Sequence, residues 1–158
     1  SKRVPVLSGS CMRHDYCQPY LDLYAKNPNK VQMLVKMDSF GKIEGRALIW
    51  KADNGETFLD RIYADNNDIE SFKKYAEEQN WWYRSHNTYA YPSMVMVDGN
   101  SRRRYLRVTL DYMPNQYPFC DTMLWYARYD GVIGNSKTAL RGYDGLVKLR
   151  GTRGNYTY

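Results

Sequence analysis

Apolar and polar residues alternate through VQMLVKM, which places Val31, Met33, Val35 and Met37 on one face of a strand. After a turn at DSFGK, IEGRALIWKA reads as its partner, with Ile43, Ala47 and Ile49 on one face and Leu48 and Trp50 on the other. Asp53-Asn54-Gly55 is a hairpin signal, and TFLDRIYA then predicts a third strand, so 31–64 reads as an antiparallel meander. The period changes next. Ile69, Phe72, Tyr75 and Ala76 recur at helical spacing, while Glu70, Lys73, Lys74, Glu77 and Glu78 take the opposite side. Asn67 is placed to cap this helix, with Glu70 completing a capping box. WWYRS reads as a fourth strand. Ahead of the meander, CQPYLDLYAKNPNK predicts a short helix: Pro19 suits its first turn, Tyr20, Leu23 and Tyr24 share a face, and Asn27-Pro28 ends it.

From residue 87 the texture changes, and no further helix is predicted. SMVMV and SRRRYLRVTLD flank Asp98-Gly99 as a hairpin. In the second arm Leu106, Val108 and Leu110 point one way and Arg103, Tyr105 and Arg107 the other. DTMLWYARYDGVIGN and LRGYDGLVKLRG repeat a strand, an Asp-Gly turn and a strand. The expected architecture is therefore α+β. A core at 1–86 combines an antiparallel or mixed sheet with two helices, and a β-rich, tyrosine-rich extension at 87–158 continues the same sheet.

At 158 residues the chain fits one domain. No apolar run approaches the roughly 20 residues of a membrane span. The start, SKRVPVLSGSC, is too short and polar for a secretory h-region. Three cysteines, an odd number, speak against a disulfide scaffold and for a reducing, cytoplasmic compartment. Charge is more informative. Residues 1–80 hold 12 Lys/Arg and 12 Asp/Glu, whereas 81–158 hold 11 against 5, so the second half carries the whole net charge of +6. The same half holds 11 of the 16 tyrosines. Such a balance points to an anionic partner for that half.

The order helix, three-strand meander, amphipathic helix and strand, over about residues 19–85, resembles the core of the GNAT acyltransferase fold. GNAT enzymes hold coenzyme A pyrophosphate at the start of the helix after the fourth strand, on Gln/Arg-x-x-Gly-x-Gly/Ala. Here the turn is Asp65-Asn66-Asn67-Asp68 followed by Ile69-Glu70, without glycine or arginine. Its carboxylates complement the helix dipole and repel a phosphate. A second resemblance is carried by SCM, GRALIWK, FLDRIY, FKKYAEEQNW and PFCDTMLWY, which look like phrases of small uncharacterised phage-encoded proteins; that family has no assigned chemistry.

Cys11, His14 and Cys17 form a C-x-x-H-x-x-C run, but structural zinc sites usually present paired knuckles, and free cysteines are more often buried small hydrophobes. Pairs of Cys11 with His14, or Cys120 with His86, would need a base or cation to yield a reactive thiolate. No metal, cofactor or catalytic group is expected on these grounds. Asp60, on the strand face of Phe58 and Ile62, reads as a buried structural carboxylate needing a partner, with Arg46 on the neighbouring strand as the candidate.

The strongest functional signal is Arg102, Arg103, Arg104, Tyr105 and Arg107, with Arg128, Lys137, Arg141, Lys148, Arg150 and Arg153 adding to it. Arginine forks bind phosphates and tyrosines stack on bases. The competing reading is a solvated edge strand guarded by charge. The expected function is a non-catalytic, phage-type accessory protein in the host cytoplasm that binds nucleic acid or a nucleotide. A protein-binding inhibitor of a host or defence factor is the alternative, and a divergent GNAT-type acyltransferase the enzymatic one. A membrane partner is not expected.

Overall fold

The meander forms with the expected bounds. β1 (Val31–Met37), β2 (Ile43–Lys51) and β3 (Thr57–Ala64) pair antiparallel in the computed structural model, which describes residues 21–87, 96–118 and 120–149. Helix α2 (Asn66–Glu78) then crosses over the sheet, so β4 (Trp82–Arg84) returns parallel to β3. β5 (Met96–Val97) and β6 (Arg103–Arg104) complete a six-stranded mixed sheet in the order β1-β2-β3-β4-β5-β6.

Among the described residues of the stretch 87–158, only β5 and β6 extend this sheet. β7 (Arg107–Thr109), β8 (Trp125–Ala127), β9 (Val132–Gly134) and β10 (Leu146–Lys148) form a second, antiparallel sheet in the order β10-β8-β9-β7. The predicted arm through Arg103, Tyr105 and Arg107 is therefore not one strand. It leaves the first sheet after Arg104 and enters the second at Arg107, with Tyr105 and Leu106 in the connection. The architecture is α+β, with α2, the first sheet and the second sheet stacked as layers.

Two cores hold these layers together. Phe72 and Ala76 of α2 bury Ala47, Ile49, Leu59 and Ile62 on one face of the first sheet. Gly45 lets the helix come this close, because a Cβ there would lie 2.9 Å from the Phe72 ring. On the other face Trp50, Phe58 and Trp82 pack with Val108 and Ile133 of the second sheet and with Leu23 of α1 (Asp22–Ala25). The Trp50 and Phe58 rings stack at 6.2 Å. α1 ends where expected, and Asn27 explains why. Buried, it donates from Nδ2 to the carbonyls of Leu23 and Tyr112, both at 2.9 Å, and accepts from Tyr112 N at 2.8 Å. Pro19 and Tyr20 lie outside the described residues.

Helix α2 begins two residues earlier than its sequence suggests. Its cap is Asp65, whose side chain accepts from Asp68 N at 3.1 Å; Asn67 is already helical. Asp68 is bonded in turn to Lys36 of β1. The acidic turn thus satisfies the Asp68 N–H itself and ties the helix to the sheet edge.

Asp60 is buried, as expected, but its partner is Arg84 at 4.0 Å. Arg46 instead faces Tyr63, with its guanidinium 5.0 Å from the ring centroid. A bulge causes the difference. Ala47 pairs with Ile62 and Ile49 with Leu59, so Asp60 and Arg61 together oppose Leu48. The extra residue flips Ile62 onto the helix face and leaves Asp60 beside Trp50 and β4. Asp60 accepts from Trp50 Nε1 at 3.0 Å, from Arg61 N at 2.7 Å and from the Thr122 hydroxyl. Burial, and then the charge of Asp121, pushes its carboxyl above the usual range.

Asp60→Ala removes the acceptor of two buried donors and the carboxylate beside Arg84, so it should cost about 3–5 kcal/mol and lower Tm by roughly 6–20 °C. Arg46→Ala should stay within a few degrees of the parent. Calorimetry of both variants checks the assignment, and equal losses would contradict it.

Candidate nucleic-acid interface

The folded chain divides the basic residues that the sequence groups together. Arg102 closes the β5–β6 turn on Asp98, with Nε donating to Oδ2 at 2.7 Å. Arg104 is half-buried, lies 3.9 Å from the centroid of the Trp82 ring and donates to both oxygens of Glu56. Trp82 Nε1 donates to the same carboxylate at 2.7 Å. Burial alone would raise the Glu56 carboxyl, but hydrogen bonds from Arg104 and Asn54 outweigh it and hold the group below the ordinary glutamate range. Arg104 is thus a structural cation. Arg103 and Tyr105 are exposed on the edge and in the link beyond it.

The other sites gather on the second sheet. Its register aligns Lys148 with Trp125, Trp125 with Gly134, and Gly134 with Arg107. Residues directly opposite one another share a face, and this row lies on the face turned away from the first sheet. Ile133 and Val108, one position along, point inward to the shared core. The row spans three strand spacings, roughly 14 Å. Half-buried Trp125 is its aromatic centre, packed on Ala127, Val132 and Leu140, with Lys137 Nζ 5.7 Å from the ring centroid. At the other end Arg107 lies 5.7 Å from the Tyr143 ring and donates from Nε to Asp53 at 3.1 Å. A short 3-10 helix, Thr138–Leu140, seats against the row at Gly134, where a Cβ would come within 3.1 Å of Ala139. Arg141 is exposed just after it.

Asp53 fixes this sheet to the first. It accepts from Thr109 N at 2.7 Å and Thr109 Oγ1 at 2.6 Å, and its own N donates to the Arg107 carbonyl at 2.8 Å. The Asp-Asn-Gly turn predicted only as a hairpin is also the joint between the sheets. Arg128 lies at the far end of β8, 5.5 Å from the Tyr129 ring. Arg150 and Arg153 lie outside the described residues.

The sequence drew attention to Arg102–Arg107 because those arginines are contiguous. It missed Trp125, which no local motif marks. Only the tertiary fold puts that ring between cations 12 and 23 residues away, Lys148 through the cross-strand register and Lys137 from the segment after β9.

The cysteine readings do not come together here. Cys120 is buried, with its sulfur 3.7 Å from the Tyr24 hydroxyl, and burial pushes its thiol far above the ordinary range. His86 Nδ1 lies 3.3 Å from Ser85 Oγ. Cys11, His14 and Cys17 lie outside the described residues. Among the described residues no group of His, Cys, Asp and Glu is arranged to hold a metal ion, and no helix is long and apolar enough to cross a membrane.

β3 and β4 pair only at Phe58–Trp82 and Leu59–Tyr83. Beyond that Asn87 takes the place of a strand, accepting from Ile62 N at 2.8 Å and donating to Ile62 O at 2.9 Å. A slot for an acyl group between these strands would need those groups free. A scan against protein-family models and searches of curated proteins and solved structures found no match to the chain.

The depressed Glu56 carboxyl carries a sign. Its folded value lies below its unfolded one, so its contribution is complete above about pH 4.3 and is lost as pH falls through the folded value. Denaturant unfolding between pH 6 and pH 3 should show Glu56→Gln losing less stability with acid than the parent. Parallel curves would refute the role.

Proposed function

We propose that the outer face of the second sheet binds a single-stranded nucleic acid without catalysis. The observation that carries this reading is the row Lys148–Trp125–Gly134–Arg107, an aromatic ring with a cation on either side and a third, Lys137, above it. A ring of this kind accepts a base from any sequence, and ammonium and guanidinium groups follow the phosphates. Arg141 and Tyr143 continue the surface. Arg102 and Arg104 lie outside this row and are paired with Asp98 and Glu56; Arg107 within it is paired with Asp53, so Lys137 and Lys148 beside the ring carry most of the phosphate contact.

The acyltransferase alternative has two observations against it. In the acidic turn at Asp65–Asp68 the Asp65 carboxylate caps the helix and that of Asp68 is bonded to Lys36, and Asn87 occupies the backbone of Ile62. Calorimetric titration with coenzyme A should give no binding; micromolar affinity that disappears with Asp68→Ala would restore that alternative. Neither the GNAT-like element order nor the phage-type phrases are needed for the nucleic-acid reading.

Fluorescence anisotropy with a labelled oligo-dT tests it. Trp125→Ala should weaken binding by about 1–3 kcal/mol with little change in salt dependence, and Trp125→Tyr should recover part of the loss. Lys137→Ala and Lys148→Ala should each flatten the slope of log K against log salt by about 0.7. Arg103→Ala should change neither strongly. Absence of binding at low salt, or a loss confined to Arg103→Ala, would overturn the assignment.

A further inference from the structure

We infer that β1 is the docking edge for a second copy of this chain, paired antiparallel about a two-fold axis at Leu34. Among the described residues β1 pairs only with β2. Its free edge is seven residues long and carries an apolar stripe: Met33, Val35 and Met37 are 40%, 37% and 53% exposed. An edge that long and that apolar is a template for another strand.

The backbone restricts the register. Lys51 N donates to Lys30 O, and 30 pairs with 51 in line with Val31–Trp50, so even-numbered residues of β1 turn their N–H and C=O groups toward β2. Val31, Met33, Val35 and Met37 turn theirs outward. The one irregularity of the ladder puts the additional residue, Glu44, on β2, so β1 itself stays regular. A second β1 must therefore meet odd residues with odd residues, which leaves two-fold axes at residues 33, 34 or 35 as the central choices.

Charge selects among the three. With the axis at Leu34, Val31 meets Met37 of the other copy, Met33 meets Val35, and Leu34 meets Leu34. Gln32 meets Lys36, and Lys30 meets Asp38 at both ends. The polar pattern of VQMLVKM reads the same in both directions, so apolar lies against apolar throughout. With the axis at Met33, Lys30 would face Lys36 twice. With it at Val35, Lys30 would face Phe40 and lose its carboxylate. Only the axis at Leu34 joins the stripes and pairs opposite charges.

The test uses the full chain with Cys11→Ser and Cys17→Ser, leaving Cys120 buried. Leu34 of one copy opposes Leu34 of the other in a non-hydrogen-bonded pair, where Cα atoms lie about 4.5 Å apart, within disulfide reach. Leu34→Cys should give a covalent dimer in high yield on mild oxidation. Gln32→Cys should not, because two such residues would sit four positions apart, roughly 13 Å. Sedimentation equilibrium should show a dimer weakened at least tenfold by Val35→Pro, since that N–H points away from β2 and the protomer's own ladder is spared. Cross-linking no higher at 34 than at 32 would overturn the proposal, whatever the mass. A dimer indifferent to Val35→Pro would do so as well.

Discussion

The carboxylate of Asp60 is the point on which both sheets depend. It is buried, and a buried charge is tolerated only where donors surround it. The donors come from separate parts of the chain, Trp50 of β2, the Arg61 amide of β3 and Thr122 in the segment leading to β8, and Arg84 of β4 adds its charge at 4.0 Å. Arg84 extends the cluster by donating to the carbonyls of His86 at 3.1 Å and Asp121 at 3.3 Å. Arg61 and Tyr63 donate to the Asp121 side chain. A dry apolar interface would hold the sheets together at many registers. A carboxylate with directed donors holds them at one.

That constraint reaches the proposed binding face through the chain itself. Thr122 and Met123 are buried at the Asp60 end, and β8 starts two residues later with Trp125. Anchoring 120–124 sets which residue of β8 opposes Gly134, and therefore that Trp125 points outward. At the other end Asp53 clamps β7 and holds Arg107 in the same row. The row of Lys148, Trp125 and Arg107 is thus positioned by two acidic side chains of the first sheet, neither of which contacts a ligand in this reading.

The local patterns of the chain were legible. The meander, α2 and the end of α1 follow from alternation, helical spacing and the Asn27-Pro28 stop, all of which are local. What could not be read depends on pairing across distance. The bulge at Asp60–Arg61 leaves no trace in TFLDRIYA, yet it changes the face of Ile62 and replaces Arg46 by Arg84 as the partner. The cap at Asp65 competes with Asn67 on equal chemical terms, and the entry from β3 decides between them. The arginine run looked like one strand because Leu106, Val108 and Leu110 alternate. The chain instead changes sheets at Tyr105–Leu106, where Leu106 N donates to Asn135 Oδ1 at 2.8 Å. Trp125 was one aromatic among many until its cross-strand neighbours were fixed.

Photochemical cross-linking to a single-stranded oligonucleotide, followed by peptide mapping, tests the central claim most directly. It reports which side chains touch the bases and needs no substitution. The account predicts adducts on the peptides that carry Trp125 and Tyr143. Adducts confined to Tyr105 and the arginines of the first sheet, or none at low salt, would contradict it.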